Sequence, residues 1–209
     1  MQWVMMGSVS PPEGGAASED RQQLKNQLAL QTVVRDPSIK VVVLAVALRN
    51  IFPLDGDTGF IAAKAGPSPA AIATYSRAIQ QLEQAGKRVV FVLDNPTFPD
   101  PTSCISGGAT SSPFLNHFLR RKENPRCALR YTDHLSGTQA YRQFIGELKR
   151  LHPNLAAYDP APLLCDISRN VCTITREGKF LYSYGDHISD YANSIIARDM
   201  LPVILAPAP

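Results

Sequence analysis

The sequence predicts an α/β protein built on a doubly wound, mostly parallel sheet. Two observations carry this. The runs Ile39–Leu48 and Arg88–Leu93 are almost continuously apolar and rich in β-branched residues, as strands buried on both faces are. They alternate with segments of helical spacing, and a short third strand, Leu155–Tyr158, continues the alternation.

Gly7–Glu19 is rich in Gly, Ser, Pro and Ala and reads as a loop. Asp20–Val34 has helical spacing, with Leu24, Leu28, Leu30 and Val34 near one face. Asp36-Pro37-Ser38 ends it, because the residue before a proline is steered out of the helical region. After the first strand comes a long loop, Asn50–Pro69. Ser68-Pro69 opens the next helix, Ala70–Ala85, with proline in its first turn, and Gly86 closes it. The second strand leads into a proline-rich loop, Asp94–Pro113, and a short helix over Phe114–Lys122. Thr138–Leu151 is strongly amphipathic: Tyr141, Phe144, Ile145 and Leu148 share a face. His152-Pro153 stops it, Leu155–Tyr158 follows, Leu181–Ser189 is a loop, and Tyr191–Leu201 is the last helix. The domain boundaries read from this are 1–19 as an irregular segment, 20–203 as the domain and 204–209 as a Pro/Ala tail.

The 209 residues are 44% hydrophobic and 19% charged, which suits one globular domain. The net charge of +3 is spread along the chain without a basic run, so no nucleic-acid partner is expected. No stretch approaches the roughly 18 apolar residues of a membrane helix. Met1–Met6 is apolar but short and lacks a basic flank, so no export signal is read.

Four cysteines, Cys104, Cys127, Cys165 and Cys172, fall in two local pairs. Disulfides would place the chain in an oxidising compartment; reduced thiols and a zinc site are the alternatives, although no CxxC knuckle is present. Disulfides without an export signal are reconciled if the chain is a piece of a larger protein.

In an open α/β sheet, sites collect beyond the carboxyl ends of the strands. Asn50, Asp94 and Asp159 follow the three strands, and the loop Tyr184–Ser189 precedes the last helix. His187 in that loop is the candidate general base. The alternative is a surface histidine beside a helix cap, with Ser189 or Asp190 as the capping residue. Asn50 is either an amide donor to an oxyanion or a turn residue. Asp94 and Asp159 read as caps of turns or helices, and His117, His134 and His152 have no supporting motif. No GxGxxG, Walker loop or HExxH occurs.

Five stretches taken in order resemble one family: VVVLAVALRN (Val41–Asn50), GKRVVFVLDNPTFP (Gly86–Pro99), DPTSC (Asp100–Cys104), DPAPLLCDISRNVC (Asp159–Cys172) and GKFLYSYGDHISDYAN (Gly178–Asn193). Together they look like the SGNH (GDSL-like) domain of membrane acyltransferase-3 family O-acetyltransferases, over about Ile39–Leu201. The resemblance implies a three-layer α/β/α sandwich of flavodoxin-like strand order. It implies acyl transfer through a serine nucleophile and a histidine base, acting on a lipopolysaccharide-type glycan acceptor at the periplasmic face of the inner membrane. The partner would be the acyltransferase-3 membrane module of the intact protein, and no metal or organic cofactor is implied. His187 falls on the family histidine and Asn50 near the oxyanion asparagine. The cysteines match the family's local disulfides, pairing Cys104 with Cys127 and Cys165 with Cys172.

Two departures stand out. The family has Asp three residues before the histidine, where this chain has Tyr184; Asp186 is adjacent to His187 instead, a poor position for a carboxylate that must orient the ring. There is also no Gly-Asp-Ser. Gly7-Ser8 is the near match, but it lacks the Asp, and Pro11-Pro12 follows where a helix should start. Aligning Ser8–Pro12 with the loop beyond the nucleophile segment puts the serine upstream and leaves the sheet without its first strand. Gln2–Met6 could then stand in as a short strand beside Ile39–Leu48, whose edge would otherwise be open. A non-catalytic glycan-binding remnant and a stand-alone esterase using Ser8 are the competing readings.

Overall fold

A computed structural model describes residues 5–6, 16–55, 66–98, 127–183 and 187–206. Its centre is a parallel sheet of four strands: β1 (Met5–Met6), β2 (Val41–Ala45), β3 (Arg88–Val92) and β5 (Ala156–Tyr158), in that spatial order. Val41–Ala45 runs in register with Arg88–Val92, and Val90–Val92 with Ala156–Tyr158. Met5 and Met6 pair in parallel with Val43 and Leu44, on the side of β2 where Gln2–Met6 was expected.

Alternation along the strands builds two cores. Val42, Leu44, Val89 and Phe91 face one layer of helices, and Val41, Val43 and Val90 face the other. The first layer is α1 (Ala16–Arg35), α2 (Pro69–Gln84) and α4 (Gln139–Leu151); α6 (Asp190–Leu205) covers the second face. Burial of both faces is why β2 and β3 read as unbroken apolar runs. Between helix and sheet, Phe52, Tyr75, Phe91, Tyr141 and Phe144 pack mostly edge to face, with ring centroids 5.5–6.4 Å apart.

The local signals act as their chemistry requires. Ser68 Oγ accepts from the Ala71 N–H at the start of α2, with Pro69 in the first turn. Gly86 follows α2 at φ +70°, where a Cβ would be strained. Arg88 donates from one guanidinium nitrogen to the carbonyls of Ile204 and Ala206, which satisfies the carboxyl end of α6.

Several expectations shift. α1 begins at Ala16, inside the segment read as a loop. Among its described side chains the inward stripe is Leu30, Val33 and Val34, while Leu24 and Leu28 are exposed. The first strand stops at Ala45, and Leu48–Asn50 is a turn of 3-10 helix. The carbonyl of Val46 there accepts from the Tyr141 hydroxyl at 2.9 Å rather than from a strand. α6 runs on to Leu205, past the expected end at Leu201. The helix expected over Phe114–Lys122 lies outside the described residues.

A smaller layer caps the carboxyl end of the sheet. It comprises an antiparallel sheet of β4 (Ala128–Leu129), β7 (Val171–Thr173) and β6 (Cys165–Asp166), the hairpin of β8 (Thr175–Arg176) and β9 (Lys179–Phe180), and the short helices α3 (Tyr131–Gly137) and α5 (Ala161–Leu164). Phe98, Leu164, Cys172, Ile174 and Tyr182 form its core.

Candidate active site

The parallel strands point their carboxyl ends at one edge, where a cavity of about 230 Å³ opens. Val46 and Ala47 beyond β2, Asp94 and Asn95 beyond β3, and Ile188 and Asn193 at the start of α6 line it. Its floor is apolar strand and helix surface, and its polar side chains are Asp94 and Asn95 from the tail of β3 and Asn193 from α6. This is the place at which open α/β sheets gather ligands.

Asp94 organises the strand tails. Its Oδ2 accepts from the Leu48 N–H at 2.8 Å and its Oδ1 from the Asn95 N–H at 3.0 Å. The carboxylate therefore ties the segment after β2 to the segment after β3, in keeping with its reading as a cap. The Tyr141 hydroxyl beneath is pushed well above its usual pKa, first by burial and then by the charge of Asp94. It remains a neutral donor to Val46.

Asp159 plays a similar part after β5. It accepts from the Ala161 N–H at 3.0 Å and pairs with Arg142 at 2.8 Å, both side chains about one quarter exposed. Arg142 also reaches His134 Nε2 at 3.3 Å. Burial, then the Arg142 charge, lower the His134 pKa to about 4. Its ring is neutral at pH 7, and its Nδ1 has no hydrogen-bond partner among the described residues.

The loop bearing His187 is closed by short backbone contacts. Tyr182 and Ile188 form an antiparallel bridge, and the His187 carbonyl accepts from the Ser183 N–H at 2.8 Å. Ser189 fixes the following turn: its Oγ accepts from the Ala192 N–H at 3.1 Å and donates to the Phe180 carbonyl at 2.6 Å. Of the two capping residues considered, Ser189 is the one in place. The His187 residue is exposed, and its neighbour Ile188 forms part of the cavity wall.

Asn50 sits in the 3-10 turn, half-buried, with its N–H bonded to the Ala47 carbonyl at 2.9 Å. It does not line this cavity; Asn95 and Asn193 do. Neither was picked out from the sequence, since nothing local distinguishes a cleft asparagine from a turn asparagine; the Asp94-Asn95-Pro96 strand end was the available signal for Asn95. Ser8 and Asp186 lie outside the described residues. The Cys165–Cys172 disulfide is present, closing the β6–β7 hairpin, and Cys127 is disulfide-bonded and buried. Cys104, assigned as the partner of Cys127, lies outside the described residues.

A family model described as the SGNH domain (fused to AT3 domains) matches residues 4–202. No curated protein matches the sequence. Among the described residues, no helix is long and apolar enough to cross a membrane.

Proposed function

The chain belongs to the family of SGNH domains fused to AT3 (acyltransferase-3) domains, and from that membership we propose that it is the acyl-transfer domain of a surface-polysaccharide O-acyltransferase. The substrates are an acyl donor, taken as an acetyl ester or thioester, and a sugar hydroxyl of a lipopolysaccharide-type glycan. The domain works at the periplasmic face of the inner membrane beside its acyltransferase-3 module. The observation that carries the reading is the convergence at the carboxyl edge of the sheet. The Asp94-Asn95 strand end and the turn carrying His187 and Ile188 meet around one cavity, in a chain that matches the family along nearly its whole length.

The chemistry needs a serine. The serine Oγ attacks the acyl carbon while His187 takes its proton, and the donor's leaving group departs with that proton. The sugar hydroxyl then attacks the acyl-serine, again giving its proton to His187, and the serine oxygen leaves as the glycan ester forms. Asn95, which lines the cavity, is the side-chain amide proposed for the oxyanion, in place of Asn50, which the family resemblance implied but which lies outside the cavity walls; such a donor is worth about 100- to 1,000-fold in rate. Ser8, the near match to a Gly-Asp-Ser serine, is the candidate nucleophile, although it lacks the preceding Asp and Pro11-Pro12 follow it. It follows Met6 by two residues, and Met5–Met6 form an edge strand of the sheet, paired with β2.

A fluorophosphonate probe, followed by peptide mapping, tests this. Labelling of Ser8 in the wild type, falling at least about 100-fold in His187→Ala, is the expected result. Folded protein that shows no label at Ser8 would remove Ser8 as the nucleophile. The absence of a Gly-Asp-Ser would then favour the second reading, an inactive glycan-binding module.

A further inference from the structure

A second serine, unconnected with the cleft, is hydrogen-bonded like a nucleophile. Ser76 Oγ lies 2.7 Å from His152 Nε2, and His152 Nδ1 lies 2.8 Å from Glu83 Oε2. Ser76 and Glu83 are seven residues apart on α2, two turns along one face. Helix side chains lean towards the amino terminus, so the longer Glu83 reaches back towards Ser76 and leaves a gap the size of an imidazole. His152 fills that gap from the end of α4. Its N–H bonds to the Leu148 carbonyl at 2.8 Å, its carbonyl accepts from the Leu155 N–H at 2.9 Å, and its side chain is 8% exposed.

The Glu83 contact selects the tautomer of the neutral ring. An ionised carboxylate can only accept, so Nδ1 carries the proton that faces Glu83. In the neutral ring that tautomer presents a lone pair at Nε2, to which the Ser76 hydroxyl donates. That is the arrangement in which an imidazole serves as general base to a serine, with a third group holding the base in place. The set lies towards the amino-terminal side of the sheet: Glu83 precedes β3 and His152 precedes β5. The cleft is at the opposite end.

The geometry points to Ser76 as a second acyl-accepting hydroxyl, with His152 as its base and Glu83 as the group that orients the base. Its co-reactant is an activated ester or an equivalent electrophile. Ser76 Oγ bonds to the acyl carbon, its proton passes to His152 Nε2, and the leaving group departs with that proton. The N–H groups of α2 around Ser76 are committed to the helix ladder, so the helix backbone supplies no oxyanion donor there for turnover. The product is therefore a stable acyl-serine, a modification site and not a second catalytic centre. This inference stands apart from the function proposed for the cleft, and either can fail alone.

The test is to react the whole folded chain with a fluorophosphonate, which loses fluoride as the serine bonds to phosphorus, and to map each labelled serine. Ser194, an exposed serine on α6 whose hydroxyl donates to the Asp190 carbonyl at 2.8 Å, is the internal standard for an unactivated helical hydroxyl. Ser76 should label at least about 100-fold faster than Ser194, the usual contribution of a positioned base. His152→Gln should abolish that excess. Glu83→Gln, a milder change that keeps a hydrogen-bonding side chain, should slow Ser76 about tenfold or more. His187→Ala should leave Ser76 unaffected, and Ser76→Ala should leave Ser8 labelling as it was. Labelling of Ser76 at the rate of Ser194, or labelling indifferent to both His152→Gln and Glu83→Gln, would overturn the inference.

Discussion

Asp94 is the residue whose loss should most directly uncouple the cleft from the sheet. Its two carboxylate oxygens hold the Leu48 and Asn95 N–H groups, and the first of these bonds joins segments 46 residues apart. A hydrogen bond to a charged group is worth about 1.5–3 kcal/mol. Asp94→Asn keeps one accepting oxygen and turns an NH2 towards a backbone donor. One bond is lost, and the half-buried position puts the cost near the lower part of that range, about 2 kcal/mol. Unfolding entropy near 2.1 cal/mol/K per residue gives the 209-residue chain about 0.44 kcal/mol/K, so Tm should fall by about 5 °C. Asp94→Ala loses both acceptors and should fall further, by about 8 °C at about 3.5 kcal/mol. Thermal unfolding followed by circular dichroism reads both. An Asn variant within about 1 °C of wild type, or an Ala variant no worse than Asn, would refute the view that this carboxylate ties the strand tails together.

Phe144 is fully buried among four aromatic neighbours, and Phe144→Ala should cost about 3–5 kcal/mol in urea unfolding through lost transfer energy and a residual cavity. His134 titrates near 4 in the folded chain against about 6.5 unfolded, so the unfolded chain binds more protons between those values. Its contribution is complete above about pH 6.5 and is lost as pH falls towards 4, by up to about 3 kcal/mol; urea midpoints of wild type and His134→Gln should converge over that window. Replacing Cys165 and Cys172 together by Ala opens a loop of sequence separation 7. Loop-closure entropy puts the loss at about 2.4 kcal/mol, a urea midpoint lower by about 1 M, and a shift under about 0.3 M would count against an unfolded-state origin.

The sheet was legible because burial on two faces leaves a local mark. Val41–Leu44 and Val89–Phe91 are apolar without interruption, and only a strand covered on both sides tolerates that. The Ser68-Pro69 start and Gly86 stop of α2 were legible because capping is chemistry between near neighbours. The early end of the first strand was not. It depends on Asp94 reaching Leu48 and Tyr141 reaching Val46, partners 46 and 95 residues away. The outward turn of Leu24 and Leu28 was hidden for the same reason, since a helix pattern shows a stripe but not how much of it meets the core.

The candidate site divides along that line. Position after the strands and local spacing marked His187, Asn50 and the four cysteines, while their roles and pairing were what the family resemblance implied, and the family match spans the same stretch. That Asn95, Asn193 and Ile188 share a cavity, while Asn50 lies outside its walls, follows from parallel strands ending together and α6 starting beside them. The Ser76–His152–Glu83 set is the clearest instance. His152 looked like a helix-end histidine with no motif, and no window of sequence joins it to residues 76 and 69 positions earlier. Sequence determines what each segment prefers, because those preferences arise from neighbours along the chain. Which side chains meet is decided by tertiary packing, because only the folded chain brings distant segments within hydrogen-bond reach.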